Sequence, residues 1–173
     1  MKKIFVSLIA LVVFFGTAPY SNAAGNKRRY VESKGRFSIS IPDTWQLVKV
    51  KEFRYKILRG AFENNFAPTI NFIDEAFTGQ FDEYIEHINE ELGKIYGENM
   101  EYILQSPFTT DKGLKGEIIV ITTYQQERLI QQSFFCFPGD KGKNIIITCT
   151  NLAEKNARFS ELFINTVKSF EWL

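Results

Sequence analysis

From Lys115 to Gln126 the chain alternates side to side, yet apolar residues fall on both sides of the alternation. Ile118 and Val120, with Thr122 and Tyr124, line one side; Ile119 and Ile121, with Thr123, line the other. A strand with one wet face is polar every second residue. A strand apolar on both sides lies inside a sheet that is covered on both faces. The rest of the chain must therefore supply two covering layers.

Two segments of helical period are available for that. Over Gln80–Tyr96, residues Phe81, Tyr84, Ile85, Ile88, Leu92, Ile95 and Tyr96 repeat every third or fourth position. Asp82 and Glu83 occupy the first turn, where the helix dipole favours anions. Thr78 or Gly79 is the expected cap, and Gly97 ends the segment. A second helix is predicted from about Ala153 to Phe170, with Phe159, Leu162, Phe163, Val167 and Phe170 as its stripe. Each large apolar side chain buried along such a stripe contributes ~1.5–3 kcal/mol, so both stripes need a partner surface.

The remaining patterns are strands. Arg36–Ile41 alternates with Phe37, Ile39 and Ile41 facing in, is stopped by Pro42, and turns at Asp43-Thr44-Trp45. Phe53, Tyr55 and Ile57 alternate with Arg54 and Lys56 as a second strand. Gly60–Pro68 is a loop or a continuation of the strand, with a turn at Glu63-Asn64-Asn65, and Thr69–Asp74 is a third strand. Glu101–Phe108 is a fourth, followed by a turn at Asp111-Lys112-Gly113. Leu129–Phe137 pairs with Lys143–Thr150 as a hairpin around Pro138-Gly139-Asp140-Lys141-Gly142. Short turns between successive strands imply a mainly antiparallel sheet, and the order of elements makes the class α+β with helices packed on that sheet.

The N-terminus sets the compartment. Lys2 and Lys3 precede an apolar run from Ile4 to Phe15, followed by Gly16, Pro19 and the small residues Ser21-Asn22-Ala23-Ala24. This is the pattern of a secretory signal peptide, 1–23, cut after Ala23. The run falls short of the roughly 20 apolar residues a spanning helix needs, so no stable membrane insertion is expected after cleavage. Residues 24–33 are expected as a flexible segment carrying the basic cluster Lys27, Arg28 and Arg29, and 34–173 as one domain. The expected location is periplasmic or extracellular. Loss of the two leader lysines takes the formal charge from +1 to −1. A near-neutral chain has no electrostatic case for nucleic acid. The 17 phenylalanines are spread along the chain rather than repeated at a fixed interval, which suits one aromatic core.

Few residues carry chemistry. If Gly142-Lys143 is the two-residue turn of the hairpin, Cys136 and Cys149 face each other across it. An exported protein permits a disulfide there, closing a loop whose stabilisation is about 3 kcal/mol in the chain-entropy model. Turning at Gly139-Asp140 breaks that register, and the two residues are then buried, reduced cysteines. Both readings stand at this point. His87, the single histidine, falls on the polar side of the first helix with Glu83, Glu86, Glu90 and Lys94. One histidine among flexible carboxylates is a poor metal-ligand set, so no metal is expected. There is no Gly-x-Ser-x-Gly, phosphate loop or dinucleotide fingerprint, hence no cofactor and no enzyme activity is expected.

The stretch Phe37-Ser38-Ile39-Ser40-Ile41-Pro42-Asp43-Thr44-Trp45 resembles the opening signature of PsbP-like (DcrB-like) domains, a strand ending in Ile-Pro and followed by Trp. The helix from Phe81-Asp82-Glu83-Tyr84, the hairpin Ser133–Asp140 and the close at Val167-Lys168-Ser169-Phe170 are similar in order. The resemblance runs from about Tyr30 to Leu173. It implies an α-β-α sandwich around an antiparallel sheet. It also implies a non-enzymatic accessory or adaptor protein that binds another envelope protein or assembly. The family's metal proposals match no ligand residue by position. Three surfaces are candidates for the contact: the outer face of the first helix (Glu83, Glu86, His87, Glu90, Lys94), the loop from Glu63 to Phe66 with Phe66 exposed, and a sheet edge. The alternative is a carrier of a small apolar ligand, held between helix and sheet.

Overall fold

The computed structural model describes residues 26–63 and 65–173. The expected signal peptide lies outside them. Among the described residues no helix is long and apolar enough to cross a membrane.

The strands are β1 (Lys27–Glu32), β2 (Phe37–Pro42), β3 (Gln46–Val48), β4 (Ile57–Arg59), β5 (Thr69–Ala76), β6 (Met100–Thr109), β7 (Lys115–Gln125), β8 (Arg128–Pro138), β9 (Lys143–Leu152) and β10 (Glu171–Trp172). The helices are α1 (Phe81–Tyr96) and α2 (Asn156–Lys168). Seven strands form one sheet in the order β3-β4-β5-β9-β8-β7-β6, and β1-β2-β10 form a small second sheet. All neighbours pair antiparallel. The two helices flank the large sheet, one on each face, as the alternation of β7 requires.

The two faces of β7 seed two cores. Ile119 and Ile121 meet Tyr84, Ile85, Ile88, Leu92 and Tyr96 of α1, together with Phe134, Cys136 and Ile146. Ile118 and Val120 belong to the larger core with Phe135, Phe137, Ile145, Ile147 and the α2 residues Phe159, Phe163 and Val167. The small sheet shares that second layer through Phe37, Ile39 and Ile41, so α2 covers the face jointly with strands. Phe37 is the joint of the layer, with ring contacts to Tyr55, Phe72 and Phe170 at 4.9–5.6 Å.

Several expectations need correction. Residues 27–32, expected in a flexible segment, form β1. Its pairing with β2 places Tyr30 opposite Ile39 and its ring against Phe37. The basic cluster is engaged as well: Arg28 Nη2 donates to the Trp45 carbonyl at 2.7 Å, and Arg29 binds Ser38 and Glu171. Phe53 and Tyr55 are buried but precede the strand, which begins at Ile57. α1 is capped at Gln80 rather than Thr78 or Gly79, with Glu83 Oε2 accepting from the Gln80 N–H at 2.9 Å. Gly97 ends it as expected, in a left-handed backbone (φ 52°) that suits glycine.

The hairpin register settles the cysteines. Its connection is Gly139–Gly142, with a short 3-10 turn over Asp140–Gly142, instead of a two-residue turn at Gly142-Lys143. Cys136 therefore pairs with Ile146, and Cys149 with Ser133. The three-residue shift is odd, so it turns the two thiols to opposite faces. Cys136 lies in the α1 core and Cys149 in the α2 core, both buried and free. The bridged reading is overturned by this geometry.

Candidate interaction surface

The outer face of α1 is less uniform than its helical wheel implies. Glu83 is committed to the cap. The His87 ring stacks on Phe77, centroids 5.6 Å apart, on the side of the helix toward β5. There Tyr84 donates to Glu75 at 3.3 Å, and burial pushes the Glu75 carboxyl above its ordinary range. Lys94 Nζ lies 2.8 Å from Glu91 and 3.7 Å from Glu90. The Glu91 hydrogen bond raises the lysine's pKa and lowers the carboxylate's. Glu86 lies on the opposite flank. Asn89 fixes which flank that is: its Nδ2 donates to Gln105 at 3.1 Å, and Tyr102 Oη donates to its Oδ1 at 2.5 Å. Both partners belong to β6, so Asn89 marks the side of α1 that overhangs the sheet edge.

The loop from Glu63 to Phe66 is closed. Glu63 and Phe66 form an isolated bridge, and Glu63 pairs with Arg158 at 2.8 Å. Phe66, expected to be exposed, is buried with Ile130 and Leu152, because the bridge folds its ring under the loop.

The sheet edge is a different surface. β6 is the last strand of the large sheet, with β7 on one side and no described strand on the other. Its side chains stay in solvent: Tyr102 is 43% exposed, Ile103 52% and Leu104 47%. Tyr124 (66%) and Leu129 (38%), opposite each other on β7 and β8, are also exposed, on the same sheet face as Leu104. The pairing with β7 slips between Tyr102 and Leu104, so Ile103 is the extra residue of a bulge. Tyr102 consequently faces the α1 side, opposite Ile121, while Leu104 faces the α2 side, opposite Val120. Sequence reasoning placed this strand correctly, but its exposure was not visible there. The pattern Met-Glu-Tyr-Ile-Leu reads as core, and only the tertiary arrangement leaves it at the rim.

Buried polar groups elsewhere are structural. Tyr96 Oη donates to Gln132 at 2.6 Å beneath the end of α1, and burial raises that phenol to about 12. Burial also raises both thiols well above the usual range, so neither is a ready nucleophile. Among the described residues no three His, Cys, Asp or Glu side chains converge as a metal site would require.

No protein-family model and no curated protein matches the chain. Solved structures do. The solution structure of cyanobacterial PsbP (CyanoP) from Synechocystis superposes with a TM-score of 0.62 at 15% identity, over 91% of this chain and 98% of that one. LpqN of Mycobacterium tuberculosis, described as involved in cell envelope biogenesis, gives 0.59 at 14% identity over 86% and 85%. The Saccharomyces cerevisiae Ran-binding protein Mog1p gives 0.58 at 9% identity over 86% and 96%. The chain thus has a PsbP-like fold, two helices flanking a large antiparallel sheet. Identities this low establish the fold alone.

Proposed function

We propose that this protein is an exported, non-enzymatic accessory protein that binds another envelope protein, with the β6 rim as its contact. The observation that carries this reading is the run Tyr102-Ile103-Leu104, exposed on an edge strand. Contiguous apolar surface of that kind marks a protein contact, and an unpaired strand edge adds main-chain hydrogen-bonding capacity to it. The neighbours agree in kind: one is described as a Ran-binding protein, another as taking part in envelope biogenesis. The space in which a carrier would hold its ligand is filled by Tyr84, Ile88 and Leu92 against Ile119, Phe134 and Ile146. The test is purification of the tagged, processed protein from its own host, followed by reconstitution of any captured complex from purified parts. A stoichiometric envelope protein that rebinds is the expected result. A co-purifying small molecule with no protein partner overturns the reading.

A further inference from the structure

The large sheet and the small one have four edges, and three of them are blunted. β3 has three residues and β10 two. β1 carries four charges in six residues, Lys27, Arg28, Arg29 and Glu32. Short or charged edges are how folded proteins avoid unwanted pairing. β6 has ten residues and one charge, Glu101. Its edge is long and largely uncharged, interrupted by the bulge at Ile103 and by Pro107.

The surroundings of that edge are acidic. Asn89 marks the flank of α1 above β6, and Glu86 and Asp82, three and seven residues earlier, share its side of the helix. Both are exposed, whereas Glu101, also exposed, stands opposite Thr122 on the other face of the sheet. Among the described residues no cation is ion-paired with Asp82, Glu86 or Glu101; the nearby lysine, Lys94, is taken by Glu90 and Glu91.

We infer that β6 accepts an extended, basic segment of the partner as an eighth, antiparallel strand of the large sheet, with Asp82 and Glu86 meeting its lysines or arginines on the α1 face. This rests on the accessory reading above and specifies its chemistry. Main-chain hydrogen bonds supply the pairing, and alternate side chains supply the selectivity. Tyr102, held by Asn89 and by Gln105 at 2.9 Å, is the rigid aromatic anchor on the α1 side. Leu104 receives an apolar side chain on the other. Pro107 has no N–H to donate, so the added strand runs along 100–106. The bulge at Ile103 interrupts the regular ladder. A second copy of this chain is a poor occupant. Antiparallel pairing of two β6 edges about a two-fold axis sets both α1 helices on one face, acidic flank against acidic flank.

The test uses the processed protein and a seven-residue amidated peptide alternating valine and lysine, its valine–glutamate counterpart, and the lysine peptide with proline at its centre. Binding is read by titration, and amide hydrogen exchange locates it. The expected result is binding of the lysine peptide, weakened by salt, with slowed exchange in 100–106. The glutamate and proline peptides bind at least tenfold more weakly. Ile103→Lys, at a half-exposed position, abolishes binding with an unchanged circular dichroism spectrum, and the double variant Asp82→Asn/Glu86→Gln weakens it several-fold. Equal binding of the acidic peptide, no protection of 100–106 at millimolar peptide, or self-association that Ile103→Lys abolishes each overturns the inference. A host protein still captured by Ile103→Lys sinks strand addition and leaves the accessory reading standing. Absence of any partner for the unaltered protein sinks the reading itself.

Discussion

Cys136 and Cys149 show how one turn decides the chemistry of two side chains. Each is buried in a separate core, in a setting without a cation to stabilise a thiolate, and burial lifts both pKa values. In the folded protein neither thiol is expected to react with a disulfide reagent near pH 8. In denaturant without reductant, both are expected to titrate; a count of zero there means the bridge exists and the register described here is wrong. A second residue with a sharp requirement is Gly116 on β7. A Cβ at that position would stand 2.2 Å from the Cys136 carbonyl oxygen and 2.5 Å from the Phe137 ring. The obstacle is backbone of the neighbouring strand, which cannot swing away. Gly116→Ala is expected to cost about 1–3 kcal/mol, the range of overpacked cores, measured by urea unfolding.

At the scale of elements, α1 is defined by local signals and α2 nearly so. The Gln80–Glu83 arrangement ties the first turn of α1 through the Gln80 N–H. Glu83→Ala removes that acceptor and an anion from the positive end of the dipole. The expected loss is about 0.5–1 kcal/mol in thermal or chemical unfolding, with peptide binding at β6 unchanged. Elements of this sort were legible in the sequence because their period and their ends are written in adjacent residues. So was β7, whose two apolar sides foretold two layers. The short strands were not: β3 and β10 have three and two residues, and they exist only because β4 and β2 lie beside them. β1 was hidden by its charges, which read as a solvated tail until Arg29 met Glu171, 142 residues away. The hairpin was legible and its register was not, since Gly139–Gly142 offers more than one turn. The surface at β6 was missed for a related reason: its sequence describes an apolar strand, and a strand is at an edge only by virtue of which other strands exist.

At the scale of the whole molecule, three layers are held by two apolar contacts, and the α1 contact carries an ionisable group at its margin. Glu75 projects from β5 toward Tyr84 and His87. Burial favours its neutral form and raises its pKa; the Tyr84 hydrogen bond and the nearby histidine oppose this without cancelling it. In the unfolded chain the same carboxyl titrates near 4.5. The folded protein therefore holds more protons than the unfolded one between that value and the raised one, and stability falls as pH rises across the interval. The contribution is complete below about pH 4.5 and lost as pH climbs through the folded value. Glu75→Gln keeps the shape and an acceptor for Tyr84 but cannot ionise. Its stability relative to the unaltered protein should rise from pH 4 to pH 7, measured by urea unfolding at each pH. If the difference is flat over that range, the α1 layer is not coupled to Glu75 ionisation, and the carboxyl is solvated better than its place beneath the helix indicates.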